Sequence, residues 1–199
     1  MKRHLRIPLF LLISLLNSLA SYASNEMSFH QLGVKTGMSD NYIQAIERDK
    51  YGFMWFATRD GLNRYDGYHF KTYTTLRQGA YNNSVEWVAE DAAGNIWIKT
   101  PVNYCFYDRE MDELDNRTEL LLHKIGIFES PRQLFIDDDK NLWCVADNTL
   151  YYYIFSDETL YKQSLPGSVN IADMACRNKR CYILMTDGNV TVSYTHLRA

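Results

Sequence analysis

Asp49-Lys50-Tyr51-Gly52-Phe53-Met54-Trp55-Phe56-Ala57-Thr58-Arg59-Asp60-Gly61-Leu62-Asn63-Arg64-Tyr65-Asp66-Gly67 is the stretch from which the fold is read. It reads as a turn led by Asp49 and Gly52, a strand centred on Trp55, a second turn at Asp60-Gly61 and a strand through Tyr65. The pattern recurs. Asp91, Gly94, Trp97 and Tyr107 repeat it 42 residues on, counted from Trp to Trp, and Asp137, Trp143 and Tyr153 repeat it 46 further on. A weaker fourth copy has Tyr182 in the Trp slot, 39 on, followed by Asp187-Gly188. In the first three copies the Asp stands six residues before the Trp and a Tyr ten after it. A period of roughly 40–45 residues with four short strands per unit marks an all-β fold, a β-propeller with about 3.5–4 blades present.

Working outward, the blades fall at 42–83, 84–130, 131–169 and, in part, 170–199. The Trp strands are nearly continuous apolar runs, as strands covered on both faces must be. The following turns carry Asp60-Gly61, Asn103, Asn148 and Asp187-Gly188, residue types that tolerate left-handed backbone. In the third copy Lys140 replaces the Gly of Gly52 and Gly94, so that turn is expected to be strained or displaced onto Asn141. Counting ten from Tyr182 puts Val192 where a Tyr is expected, and the tail Ser193–Ala199 reads as a truncation or as sequence foreign to the gene. Residues 108–130 exceed the repeat and are read as a helical turn or an elaborated loop. Residues 24–41 hold a lone predicted strand at Phe29, which in a ring would pair with the last blade and remove two free edges.

Residues 1–23 read as a secretory signal peptide: Lys2, Arg3 and Arg6 precede an apolar run from Ile7 to Ala20 and a small-residue cleavage site at Ser21-Tyr22-Ala23. The run is shorter than the roughly 20 residues a spanning helix requires. Export places the remainder in the periplasm. Without the leader the net charge moves from −3 to −6, with no basic run, which argues against nucleic-acid contact by this region. Four cysteines remain. Cys105 and Cys144 occupy unrelated slots, while Cys176 and Cys181 flank a short turn and are candidates for a disulfide or for two idle thiols.

With these residues in view, the chain resembles the two-component regulator propeller repeat family, in particular the N-terminal periplasmic sensor of Bacteroidetes hybrid two-component systems. The opening Phe29-His30-Gln31-Leu32 after a leader resembles the start of such proteins. The resemblance implies two seven-bladed propellers, a further β-domain and a membrane span, followed by cytoplasmic histidine kinase, receiver and DNA-binding domains. It also implies an oligosaccharide ligand released from a glycan, a homodimer, contact with further blades of the same chain, and no cofactor. The family's phosphorylated His and Asp have no counterpart here, so this region is expected to carry no enzymatic activity. The ligand-binding residues are not indicated by the repeat.

Two sharper readings compete with packing. Asp137, Asp139 and Asn141 resemble part of a calcium loop, but its Gly and Glu positions are Leu142 and Asn148. A sialidase- or lyase-like enzyme would need converging carboxylates, whereas the acids here occupy turn slots and the histidines (His30, His69, His123, His196) show no catalytic spacing. A non-catalytic secreted scaffold is a third alternative. The repeated Trp and Tyr are assigned to packing between blades.

Overall fold

The computed structural model describes residues 28–75, 83–165, 171–177 and 180–194. The expected signal peptide and the tail after Tyr194 lie outside them. The chain divides into two compact units, Met1–Gln31 and Leu32–Ala199. Of the first, residues 28–31 form no strand, and the strand expected at Phe29 has no ladder there. A strand requires the hydrogen-bonding backbone groups of a neighbour, and residues 28–31 pair with none among the described residues. Among the described residues no helix is long and apolar enough to cross a membrane.

The described residues of the second unit are all-β apart from a 3-10 turn at Val34–Thr36 and a short helix. Blade one contains β1 (Ile43–Arg48), β2 (Met54–Thr58), β3 (Gly61–Tyr65) and β4 (Phe70–Tyr73). Blade two contains β5 (Trp87–Glu90), β6 (Ile96–Lys99), β7 (Tyr104–Asp108) and β8 (Glu113–Asp115), followed by helix α1 (Glu119–Lys124). Blade three contains β9 (Pro131–Ile136), β10 (Leu142–Ala146), β11 (Thr149–Ile154) and β12 (Thr159–Ser164). Blade four has β13 (Ile171–Arg177), β14 (Arg180–Met185) and β15 (Val190–Tyr194). Every sheet is an antiparallel meander in chain order, and the sheets form the blades of a β-propeller. The segment beyond the repeat, 108–130, resolves into β8 and α1.

Alternation along the second strand of each blade explains the stacking. Trp55 and Ala57 face blade two, where they meet Val88, Ile96, Ile98 and Tyr107. Trp97 faces blade three and packs with Leu142, Cys144 and Ala146. Trp143 and Val145 in turn meet Cys181, Ile183 and Met185 of blade four. All three Trp side chains are buried. Each removes about 150–250 Å² from water, on the order of 4–6 kcal/mol at about 25 cal/mol/Å². Tyr182, in the same slot, is 41% exposed because its face points away from blade three, as Trp143 points away from blade two. On blade one the opposite face leaves Ile43 and Ile46 exposed.

The turn at Lys140 keeps the register of its homologues. Lys140 N donates to Asp137 O at 2.9 Å, as Gly52 N does to Asp49 O at 3.0 Å, and Lys140 itself takes φ 62. Of the two expected outcomes, strain is realised and displacement is not, because the Asp137 carboxylate pins Asn141 N at 2.9 Å. Two turn expectations are corrected. In the β10–β11 turn the left-handed residue is Asp147, φ 47, rather than Asn148. In blade four Tyr182 pairs with Val192, whereas Trp143 pairs with Tyr152, nine residues on. The β14–β15 turn is one residue longer, which moves the Tyr slot from Val192 to Ser193.

Candidate functional site

The repeated residues build scaffold. Asp49 Oδ1 accepts Tyr51 N and Phe53 N, both at 3.0 Å, while its Oδ2 accepts Trp55 Nε1 at 3.0 Å. Asp91 holds Asn95 N and Trp97 Nε1 in the same way, and Asp137 holds Asp139 N, Asn141 N and Trp143 Nε1. Each carboxylate thus closes its turn and fixes its indole. Asp137 spends its oxygens on these donors and not on a calcium loop, and among the described residues no cluster is arranged to hold a metal.

Neighbouring turns are tied to one another. Lys50 N donates to the Glu90 carboxylate at 3.0 and 3.1 Å, and Lys50 Nζ to Ala93 O at 2.8 Å. Arg109 bridges Asp49 Oδ2, at 3.3 Å, to Gly94 O, at 3.1 Å. Ala92 N reaches Lys140 O at 2.9 Å, and Lys140 Nζ pairs with Glu47 of blade one. At the rim, Asp112 accepts from Tyr107 at 2.6 Å, Tyr73 at 2.7 Å and Arg64 at 3.3 Å, and pairs with Lys71. Desolvation opposes the Asp112 charge, but these donors hold its carboxyl well below the usual range.

The site with the features of a ligand cleft lies where the repeat is broken. The β6–β7 turn and the two ends of the 116–131 segment enclose a cleft of about 400 Å³ at the junction of blades two and three, lined by Thr100, Asn103, Tyr104, Phe128, Glu129 and Arg132 among others. That volume falls in the range of small-molecule sites. Phe128 is 70% exposed at its edge. Thr100 Oγ1 accepts Asn103 N at 3.1 Å and contacts Asn103 Oδ1 at 2.6 Å, which stiffens the turn. Tyr104 anchors the cleft floor to blade three by accepting Leu134 N at 3.1 Å. Donation from Tyr151 lowers the Glu129 pKa, keeping a carboxylate at the cleft wall. Burial above all, and then Glu129, raises that of Tyr151. On the opposite end of the same junction, α1, the β5–β6 turn and Phe155 line a second cleft of about 500 Å³.

Asn103 and Tyr104 lie in the repeated turn and third strand of their blade, but Phe128, Glu129 and Arg132 match no recurring residue type. The signal that could have found them is the 46-residue spacing between Trp97 and Trp143, since insertions in a repeat array map to loops that often bind.

Residues 37–60, the end of the N-terminal loop and the first Asp–Trp hairpin, match the family described as "Two component regulator propeller". That stretch is similar to a two-component regulator propeller repeat. Over 37 residues, 19% of this chain, the protein is 51% identical to a histidine kinase of Formosa agariphila. The fold of the chain is also similar to a crystal structure of the extracellular domain of a protein described as a hybrid two component system from B. thetaiotaomicron. That similarity has a TM-score of 0.55 and 22% identity, over 83% of this chain and 25% of that one. The chain spans 3% of the kinase it matches and a quarter of that extracellular domain.

Proposed function

We propose that this regulator propeller is the exported, periplasmic ligand-sensing region of a membrane-bound hybrid two-component sensor. In this reading it detects glycan-derived oligosaccharides and controls a cytoplasmic phosphorelay and transcription. The observation that carries the reading is the regulator propeller repeat at residues 37–60. The cleft between blades two and three supports the ligand class. Phe128 offers a ring face to the apolar side of a sugar, while Thr100, Asn103, Glu129 and Arg132 offer donors and acceptors to its hydroxyls. The exposed Ile43 and Ile46 on one end blade, and Tyr182 and Leu184 on the other, suit further blades of the same chain.

A rigid ring transmits by being repositioned. Oligosaccharide binding would shift the placement of domains in a homodimer, by no more than its differential affinity for the two placements. The test is to mix the complete exported region with oligosaccharides cut from different glycans, following heat of binding and the ligand by chromatography. Saturable binding with intact ligand is expected. Cleavage of the ligand would make the protein an enzyme and overturn the reading.

A further inference from the structure

We propose that Cys176 and Cys181 form a disulfide that latches the first turn of blade four, replacing the carboxylate–indole latch of blades one to three. The rungs Arg48–Met54, Glu90–Ile96, Ile136–Leu142 and Cys176–Cys181 are the same position in successive blades, the last pair before the first turn or next to it. In the first three blades an Asp follows the rung and is bonded to the Trp one residue past it. Blade four has neither. Cys176 stands six residues before Tyr182, where the other repeats have Asp, and a shorter turn sets it directly opposite Cys181.

The geometry suits a bond. All four cysteines of the chain are thiols in the structure, and the Sγ atoms of these two are 2.6 Å apart. Arg177–Arg180 closes the hairpin with two residues between them, so the next rung is a non-hydrogen-bonded pair. Such pairs have Cα atoms about 4.5 Å apart, within the span a disulfide accepts. Both sulfurs are buried against Trp143 of blade three, which shields a bond there from reductants. Cys105 and Cys144 are buried in separate clusters and serve as internal controls.

The step needs an oxidant, an oxidised thiol carrier bearing a disulfide. One cysteine thiolate attacks a carrier sulfur, forming a mixed disulfide and releasing the first carrier thiolate. The second cysteine thiolate then displaces the remaining carrier sulfur. Two protein thiols become one disulfide, the carrier disulfide becomes two thiols, and the protons released go to the carrier. Burial foremost, and then contact with Cys181, raises the Cys176 thiol far above its ordinary range, so the exchange belongs to the folding chain, before blade three covers the pair.

The test uses the folded, full-length protein refolded with oxidised glutathione, then denatured without reductant, alkylated and cleaved with trypsin. Cleavage after Arg177 and Arg180 separates the two cysteines. The expected result is one pair of peptides joined through Cys176 and Cys181, parted only by reductant, with Cys105 and Cys144 alkylated. Alkylation of all four, glutathione adducts in place of the bridge, or a bridge to Cys105 or Cys144 overturns the proposal. Because the oxidant is added, the result is independent of export and of the sensor reading.

Discussion

Trp55 Nε1 lies 3.0 Å from Oδ2 of Asp49, and the same bond recurs at 2.8 Å from Trp97 to Asp91 and at 2.9 Å from Trp143 to Asp137. One residue type six positions before another thereby ties a surface turn to a buried ring in three successive blades. The acid and the indole satisfy each other where neither can reach water.

This latch predicts a large asymmetry between substitutions. Asp91→Ala leaves the Trp97 indole and a turn N–H without partners and should destabilise the protein by about 2–4 kcal/mol. Trp97→Phe keeps most of the ring and should cost about 1–3 kcal/mol. Urea denaturation of both variants checks the order. Equal, near-zero effects would remove the latch from the account.

Lys140 carries backbone strain at φ 62. In a Glu47→Gln background, where the Lys140 ion pair is already gone, Lys140→Gly should stabilise the protein by about 1 kcal/mol. In the native background the gain should shrink by the value of that half-exposed pair, at most about 1 kcal/mol. Thermal unfolding of the four proteins in the cycle measures it.

Gly61 has both a positive φ, 122, and a crowded site: an added Cβ would lie 2.9 Å from Tyr73 O. Gly61→Ala should therefore cost about 2 kcal/mol or more. Gly52, at φ 92, has nothing within 4 Å of such a Cβ, so Gly52→Ala should cost only the backbone strain, about 1 kcal/mol. Comparable losses at the two sites would contradict the close approach of β4.

Acid should weaken the rim cluster. The folded pKa of Asp112 is depressed, so its contribution is complete above the ordinary value of 3.8 and is lost as pH falls through the lower folded value. The stability gap between the native protein and Asp112→Asn, discounted for exposure to no more than about 1 kcal/mol, should hold at neutral pH and close below about pH 4. Denaturation at several pH values follows it.

The scaffold was legible in the chain because each of its residues recurs: Asp49, Trp55 and Tyr65 have counterparts at fixed offsets, and a period of four strands per unit leaves few folds. The cleft was not, because Phe128 and Glu129 occur once, on a segment with no second copy to align, and the arginine at Arg132 on β9 does not recur at the corresponding places of blades one and two. Asp112 was equally silent, since its partners Arg64, Lys71 and Tyr73 come from blade one and meet it only when the blades stack. The fourth repeat shows the limit of counting. Residue offsets put the Tyr slot at Val192, but a turn longer by one residue moved it, because turn length is set by backbone hydrogen bonds.

The most direct measurement is a calorimetric titration of the complete exported region and its Phe128→Ala variant with glycan-derived oligosaccharides. Phe128 is exposed, so its loss should change stability by less than about 0.5 kcal/mol. Stripping a ring face from the ligand should nevertheless weaken binding by roughly 3- to 10-fold. The account predicts saturable binding by the native protein, weaker binding by the variant and unaltered ligand recovered from both. Equal affinity in the two proteins, or no binding to any oligosaccharide, would contradict the placement of the sensing site between blades two and three.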